Sequence, residues 1–117
     1  MSPYRRELNP IERAILEFLL GQQFPGRDEL KLQLASLNVV GGCNCGCESI
    51  DLSVDEGAAI CAPVRERVPV EATTRVGPGV DVLLHVVDGL LRELEVYRQD
   101  GESAALPDPS SLEPIVK

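Results

Sequence analysis

The chain has 117 residues, enough for one domain that buries a core without covalent staples. Its 19 acidic residues against 11 lysines and arginines leave a formal net charge of -8, a balance that repels phosphate backbones and argues against nucleic acid as a partner. No apolar run approaches the length of about eighteen residues that spans a bilayer, which argues against a membrane-embedded chain. The opening residues are polar and do not read as a secretory leader, so the expected location is the cytoplasm. Aromatic residues are few (Tyr4, Phe18, Phe24 and Tyr97), so the core must be built from Leu, Val, Ile and Ala.

The first predicted element is a helix. Asn9 can cap it, Pro10 suits its first turn, Glu12 can complete a capping box, and Gly21 is a stop signal. Ile11, Ile15, Phe18 and Leu19, joined by Leu16 and Leu20, supply its apolar face. After the Phe24-Pro25-Gly26 turn a second helix is expected over about 27–37, with Asp28 and Glu29 in its first turn and Leu30, Leu34 and Leu37 as a stripe widened by Leu32.

The period then changes from helix to strand. Residues 38–42 and 49–54 read as two strands, the second alternating Ile50, Leu52 and Val54 against Ser49, Asp51 and Ser53. A third strand is expected over about 68–76, beginning at or near Pro69. Residues 80–87 and 90–98 flank Asp88-Gly89, a two-residue hairpin signal. Regular pairing from that turn places Val87, His85 and Leu83 opposite Leu90, Arg92 and Leu94 on the better core face. It leaves Val82, Leu84 and Val86 opposite Glu95, Glu93 and Leu91, as an apolar stripe to be covered by the tail or a second subunit. Residues 101–117, with Pro107, Pro109 and Pro114, read as an extended tail beyond a 1–100 domain.

The most unusual stretch is Gly41-Gly42-Cys43-Asn44-Cys45-Gly46-Cys47, placed at a hairpin tip. Thiols at alternate positions share a face of an extended chain, and with Cys61 and His85 they are the soft ligands available for zinc or Cu(I). The spacing lacks the paired ligands of structural zinc sites. A strained small-loop disulfide serving a redox switch is a second reading. Inert, packable thiols at a glycine-rich tip are a third. Cys61, set among Ala and Ile, is expected to be a buried hydrophobe. His85, with Arg92 as its predicted cross-strand neighbour, is expected to be a neutral histidine at the edge of the core. Asp88, Glu93, Glu95, Asp100 and Glu102 gather along the last hairpin, by default as a solvated face.

The order of segments from Ile11-Glu12-Arg13-Ala14-Ile15-Leu16, through Cys-x-Cys-Gly-Cys-x-Ser-Ile-Asp-Leu (Cys43 to Leu52), to Leu94-Glu95-Val96-Tyr97-Arg98 and Leu106-Pro107-Asp108-Pro109 resembles a family of small uncharacterised proteins seen largely in actinobacteria. That resemblance implies no activity. In size and charge the chain is also similar to immunity proteins that neutralise secreted toxins.

The sequence therefore predicts an α+β domain, with two N-terminal helices on one face of an antiparallel, meander-like sheet of about four strands. No nucleophile–base pair, cofactor fingerprint or catalytic carboxylate pair stands out, so the expectation is a non-enzymatic protein-interaction module. It would be immunity-like or homodimeric, with Val82, Leu84 and Val86 at its interface and no nucleic-acid or membrane partner. The alternative is a thiol-based metal-binding or redox-sensing protein using Cys43, Cys45 and Cys47, with zinc as the candidate metal.

Overall fold

The computed structural model describes residues 5–42, 46–55, 57, 60–74 and 79–117. Helix α1 (Pro10–Leu20) begins with the expected capping box: Asn9 Oδ1 accepts from the Glu12 amide at 2.8 Å, and Glu12 Oε1 accepts from the Asn9 amide at 2.9 Å. Ile15, Leu16, Leu19 and Leu20 on its inner face are fully buried. Helix α2 (Arg27–Leu32) is shorter than its apolar spacing predicts. From Gln33 the chain tightens into a 3-10 turn, Gln33–Ser36, with the Gln33 side chain buried. Leu32, expected to widen the apolar stripe, is 69% exposed.

Six strands follow: β1 (Asn38–Gly42), β2 (Ile50–Ser53), β3 (Val70–Thr74), β4 (Val80–Val87), β5 (Leu90–Arg98) and β6 (Leu112–Val116). They form one antiparallel sheet in the order β1-β2-β5-β4-β3-β6. The α+β class is as expected, but the strand count and the meander are not. β2 pairs with β5, and the segment read as an extended tail supplies β6 at the sheet edge. The tail joins the sheet because Leu112 is buried against the core and Asp108 and Pro109 turn the chain back along β3. The molecule is only 22 Å thick along its shortest axis, which is room for one helical layer and one sheet.

The register of the β4–β5 hairpin decides which sheet face is which. The turn is as expected: Asp88 (φ 54) and Gly89 (φ 76) both adopt the left-handed region of a two-residue hairpin turn. Val87 pairs with Leu90 and Val86 with Leu91, but His85 then pairs with Glu93. Arg92 is an extra residue, a β-bulge. One inserted residue swaps the two faces for the rest of β5, so Leu84 lies opposite Leu94 and Val82 opposite Val96. Val82, Leu84 and Val86, expected as a stripe for a second subunit, are instead 0%, 0% and 5% exposed within the core. They face the helices, and the interface assigned to them is corrected accordingly.

Gln33 anchors the turn next to the bulge. Its Nε2 donates to the carbonyls of Gly89 and Ile60, each at 2.9 Å, and its Oε1 accepts from the Leu91 amide at 3.0 Å. The amide beside the bulged residue thus finds a side-chain acceptor, as a buried backbone donor requires. The Gly89 carbonyl also accepts from Ala62 N at 2.9 Å, which docks the 60–62 segment on the turn. A Cβ at Gly89 would lie 2.6 Å from the Ala62 carbonyl oxygen, so this position needs glycine for space as well as for φ.

The sheet edges are protected in two ways. Outside β1, Val39 exchanges backbone hydrogen bonds with Arg6, at 3.0 and 2.8 Å. Beside β6, Lys117 N donates to the Pro69 carbonyl at 3.1 Å, and the pairing runs on through Ile115↔Glu71 and Glu113↔Thr73. By the alternation of an antiparallel ladder, Leu112, Pro114 and Val116 turn their backbone groups outward. Pro114 therefore removes the middle donor of the open edge, a common guard against edge-to-edge pairing.

Two outcomes follow from this arrangement. Gln33→Ala should lower unfolding stability by about 2–3 kcal/mol, because the buried Leu91 amide loses its acceptor and two carbonyls lose a donor. Urea unfolding measures it, and a change under about 0.5 kcal/mol would contradict the role given to Gln33. Pro114→Val should restore the edge donor and promote concentration-dependent association in light scattering, whereas a persistently monomeric variant would mean that the proline is not the guard.

Candidate functional site

Cross-strand partners share a face, so the register defines the side of the sheet turned away from the helices. One row across it reads Ile115, Glu71, Leu83, Glu95, and the next reads Glu113, Thr73, Asp81, Tyr97. A third runs His85, Glu93, Asp51. None of these residues is buried, whereas the alternate positions Val70, Ala72, Val82, Leu84, Leu94 and Val96 are buried against the helices. The face therefore carries the carboxylates Asp51, Glu71, Asp81, Glu93, Glu95 and Glu113 around partly exposed Leu83, with Tyr97 and Ile115 41% and 45% exposed.

Several of these groups are fixed in place. Lys117 Nζ lies 2.8 Å from Glu71 Oε1. Arg67 Nε donates to His85 Nδ1 at 3.1 Å, so the ring proton belongs on Nε2, which donates to Glu95 Oε1 at 2.7 Å. Tyr97 reports the charge of the surface. Its phenol is raised above the ordinary 10.0, first because it donates to the Asp81 carboxylate, then through burial and the nearby charges of Asp81, Glu71 and Glu95.

Among the described residues, the soft ligands Cys47, Cys61 and His85 do not converge. Cys43 and Cys45 lie outside the described residues. Cys47 is partly buried against the core, beside the end of β5 where Ser49 and Val96 exchange hydrogen bonds at 2.9 and 3.1 Å. Cys61 is exposed rather than a buried hydrophobe, because its neighbour Ala62 takes the inward position against Gly89. Gly89 and Val96 are seven residues apart along β5, roughly 20 Å, so Cys61 and Cys47 cannot share one ion. Both ring nitrogens of His85 are engaged on the sheet face, and its cross-strand neighbour is Glu93 rather than the bulged Arg92. Among the described residues no group of three or more His, Cys, Asp and Glu side chains is placed to hold a metal ion.

Beside Cys47 lies a recess of about 390 Å³ lined by Arg6, Glu12, Cys47, Glu48, Ser49 and Leu106 among others. Its wall is structural. Arg6 grips Glu12 with two bonds of 2.8 Å, and Glu12 is almost fully buried. Burial alone would raise the Glu12 carboxyl, but the hydrogen bonds from Arg6 and the Asn9 amide, with the Arg6 charge, hold it below its ordinary 4.5. Sequence reasoning had assigned Glu12 to the capping box. It had no signal for Arg6, which lies six residues away and is brought in by its backbone pairing with Val39.

A group depressed in the folded state contributes stability above its unfolded value and loses that contribution as pH falls through the folded value. Glu12→Gln should therefore flatten the decline of the urea midpoint as pH falls below about 4.5, while lowering stability near neutrality. An unchanged acid limb would remove Glu12 from the account of acid stability. On the sheet face, Glu71→Gln with Glu95→Gln should bring the Tyr97 phenol down toward its ordinary value in an absorbance titration, read in a Tyr4→Phe background. No movement would mean that those carboxylates set little of the local potential.

The chain matches no protein-family model, and no curated protein or solved structure is detectably similar to it.

Proposed function

We propose that the protein is a non-enzymatic protein-interaction module whose working surface is the outer face of the sheet. The observation that supports this reading is the distribution of burial. The helices cover one side of a two-layer molecule, and the other side is left as a broad sheet surface on which Leu83, Tyr97 and, at the β6 edge, Ile115 are interleaved with carboxylates. Exposed aromatic and aliphatic side chains on an otherwise charged face are the groups that commonly anchor a protein–protein contact. An immunity-like role is one instance of this function.

Affinity purification from native cells, comparing the wild-type chain with Leu83→Asp, tests the proposal. A partner retained by the wild type and lost from the folded variant is the expected result. Equal retention by both would remove the sheet face from the function.

The thiol-based alternative rests, among the described residues, on Cys47 in the Arg6 recess. Native mass spectrometry with a parallel thiol count tests it. An ion near one per chain that is lost in Cys47→Ser would favour it, and a metal-free chain with four free thiols would count against it.

A further inference from the structure

We infer that the occupant of this face is a lysine- and arginine-rich protein surface, and not a second copy of the chain. This rests on the reading of the sheet face as the working surface and names its partner class.

The argument begins with sign. Asp51, Glu71, Asp81, Glu93, Glu95 and Glu113 converge on one side of the sheet, in a chain whose net charge is already -8. Lys117 on the same side is engaged on Glu71 and Arg67 on the His85 ring, and the exposed bulge residue Arg92 beside Glu93 leaves the carboxylates in the majority. The same carboxylates act on the Tyr97 phenol, which is raised first by its hydrogen bond to Asp81, then by burial and by the charges of Asp81, Glu71 and Glu95.

A two-fold dimer through this face would set each carboxylate array against its own copy, and like charges brought together at an interface oppose association. A basic surface meets complementary potential and gains in encounter rate as well as in specificity. Leu83, Tyr97 and Ile115, interleaved with the carboxylates, add apolar contact that a purely electrostatic site lacks. Guanidinium groups suit the site well, since they pair with carboxylates through two bonds and stack on a phenol ring.

The probe is a synthetic peptide rich in lysine and arginine, titrated into the full-length chain with amide shifts recorded at each residue. Two charge-matched triple variants accompany it. Glu71→Gln, Glu93→Gln and Glu95→Gln remove carboxylates from the face, and Glu17→Gln, Asp55→Asn and Glu102→Gln remove exposed ones elsewhere. The expected result is shifts concentrated on β3, β4 and β5, with affinity falling on the order of tenfold in the face triple and by less than about twofold in the control. Binding to the face triple should also lose most of its salt dependence.

Equal weakening by both triples, or shifts spread across α1 and α2, would overturn the inference by showing only diffuse charge. A concentration-dependent dimer abolished by Leu83→Asp would overturn it in favour of a second copy, while leaving the sheet-face reading intact. A neutral or acidic native partner lost in Leu83→Asp would do the same. A native partner retained by Leu83→Asp would instead defeat the sheet-face reading itself.

Discussion

The buried amide of Gln33 is the interaction on which the layout of this protein depends. It satisfies the Leu91 amide next to the Arg92 bulge and gathers the carbonyls of Gly89 and Ile60 to the same point. A buried polar group of this kind contributes to uniqueness as well as to stability, because any arrangement that moved the turn away from α2 would leave its donor and acceptor with unmade bonds. With the turn anchored and the bulge beyond it, Val82, Leu84, Val86, Leu91, Leu94 and Val96 all point into the core. The carboxylates between them are sent to the other side.

The same constraint links fold to function. A sheet whose inner positions are filled by small and medium aliphatic residues needs only one helical layer to cover it, and α1 with α2 provides that layer. The outer face is then left to solvent, its strand edges guarded by Arg6 against β1 and by Pro114 in β6. Guarded edges disfavour strand addition, which is why the proposed association is assigned to the face of the sheet.

Much of the fold was legible in the sequence. The Asn9 capping box, the Asp88-Gly89 turn and the alternation of Ile50 and Leu52 each rest on local chemistry, and each appears in the structure. The face assignment was not legible by simple alternation, because one extra residue inverts everything beyond it. A signal was present. Leu91 and Leu94 are three apart, while Leu94 and Val96 are two apart, and that break in period marks the bulge. Gln33 also falls within the Leu30, Leu34, Leu37 stripe, where a polar residue asks for a buried partner. Ser49 gave no such warning, since a serine on an alternating strand reads as solvent-facing until its hydroxyl is seen bridging the Val96 backbone. The tail reads as extended rather than as a strand because its prolines mask the five-residue run Leu112–Val116, whose partner β3 lies far away in sequence.

The most direct test of the account is the thiol-labelling rate at positions 83 and 84, read by peptide-level mass spectrometry on Leu83→Cys and Leu84→Cys. The account predicts fast labelling at 83 in the native protein, with labelling at 84 only through global unfolding, since Leu84 is fully buried and Leu83 lies on the outer face. Fast labelling at 84 with protection at 83 would show that the bulge does not set the register. The carboxylate face and the partner assigned to it would then fall together.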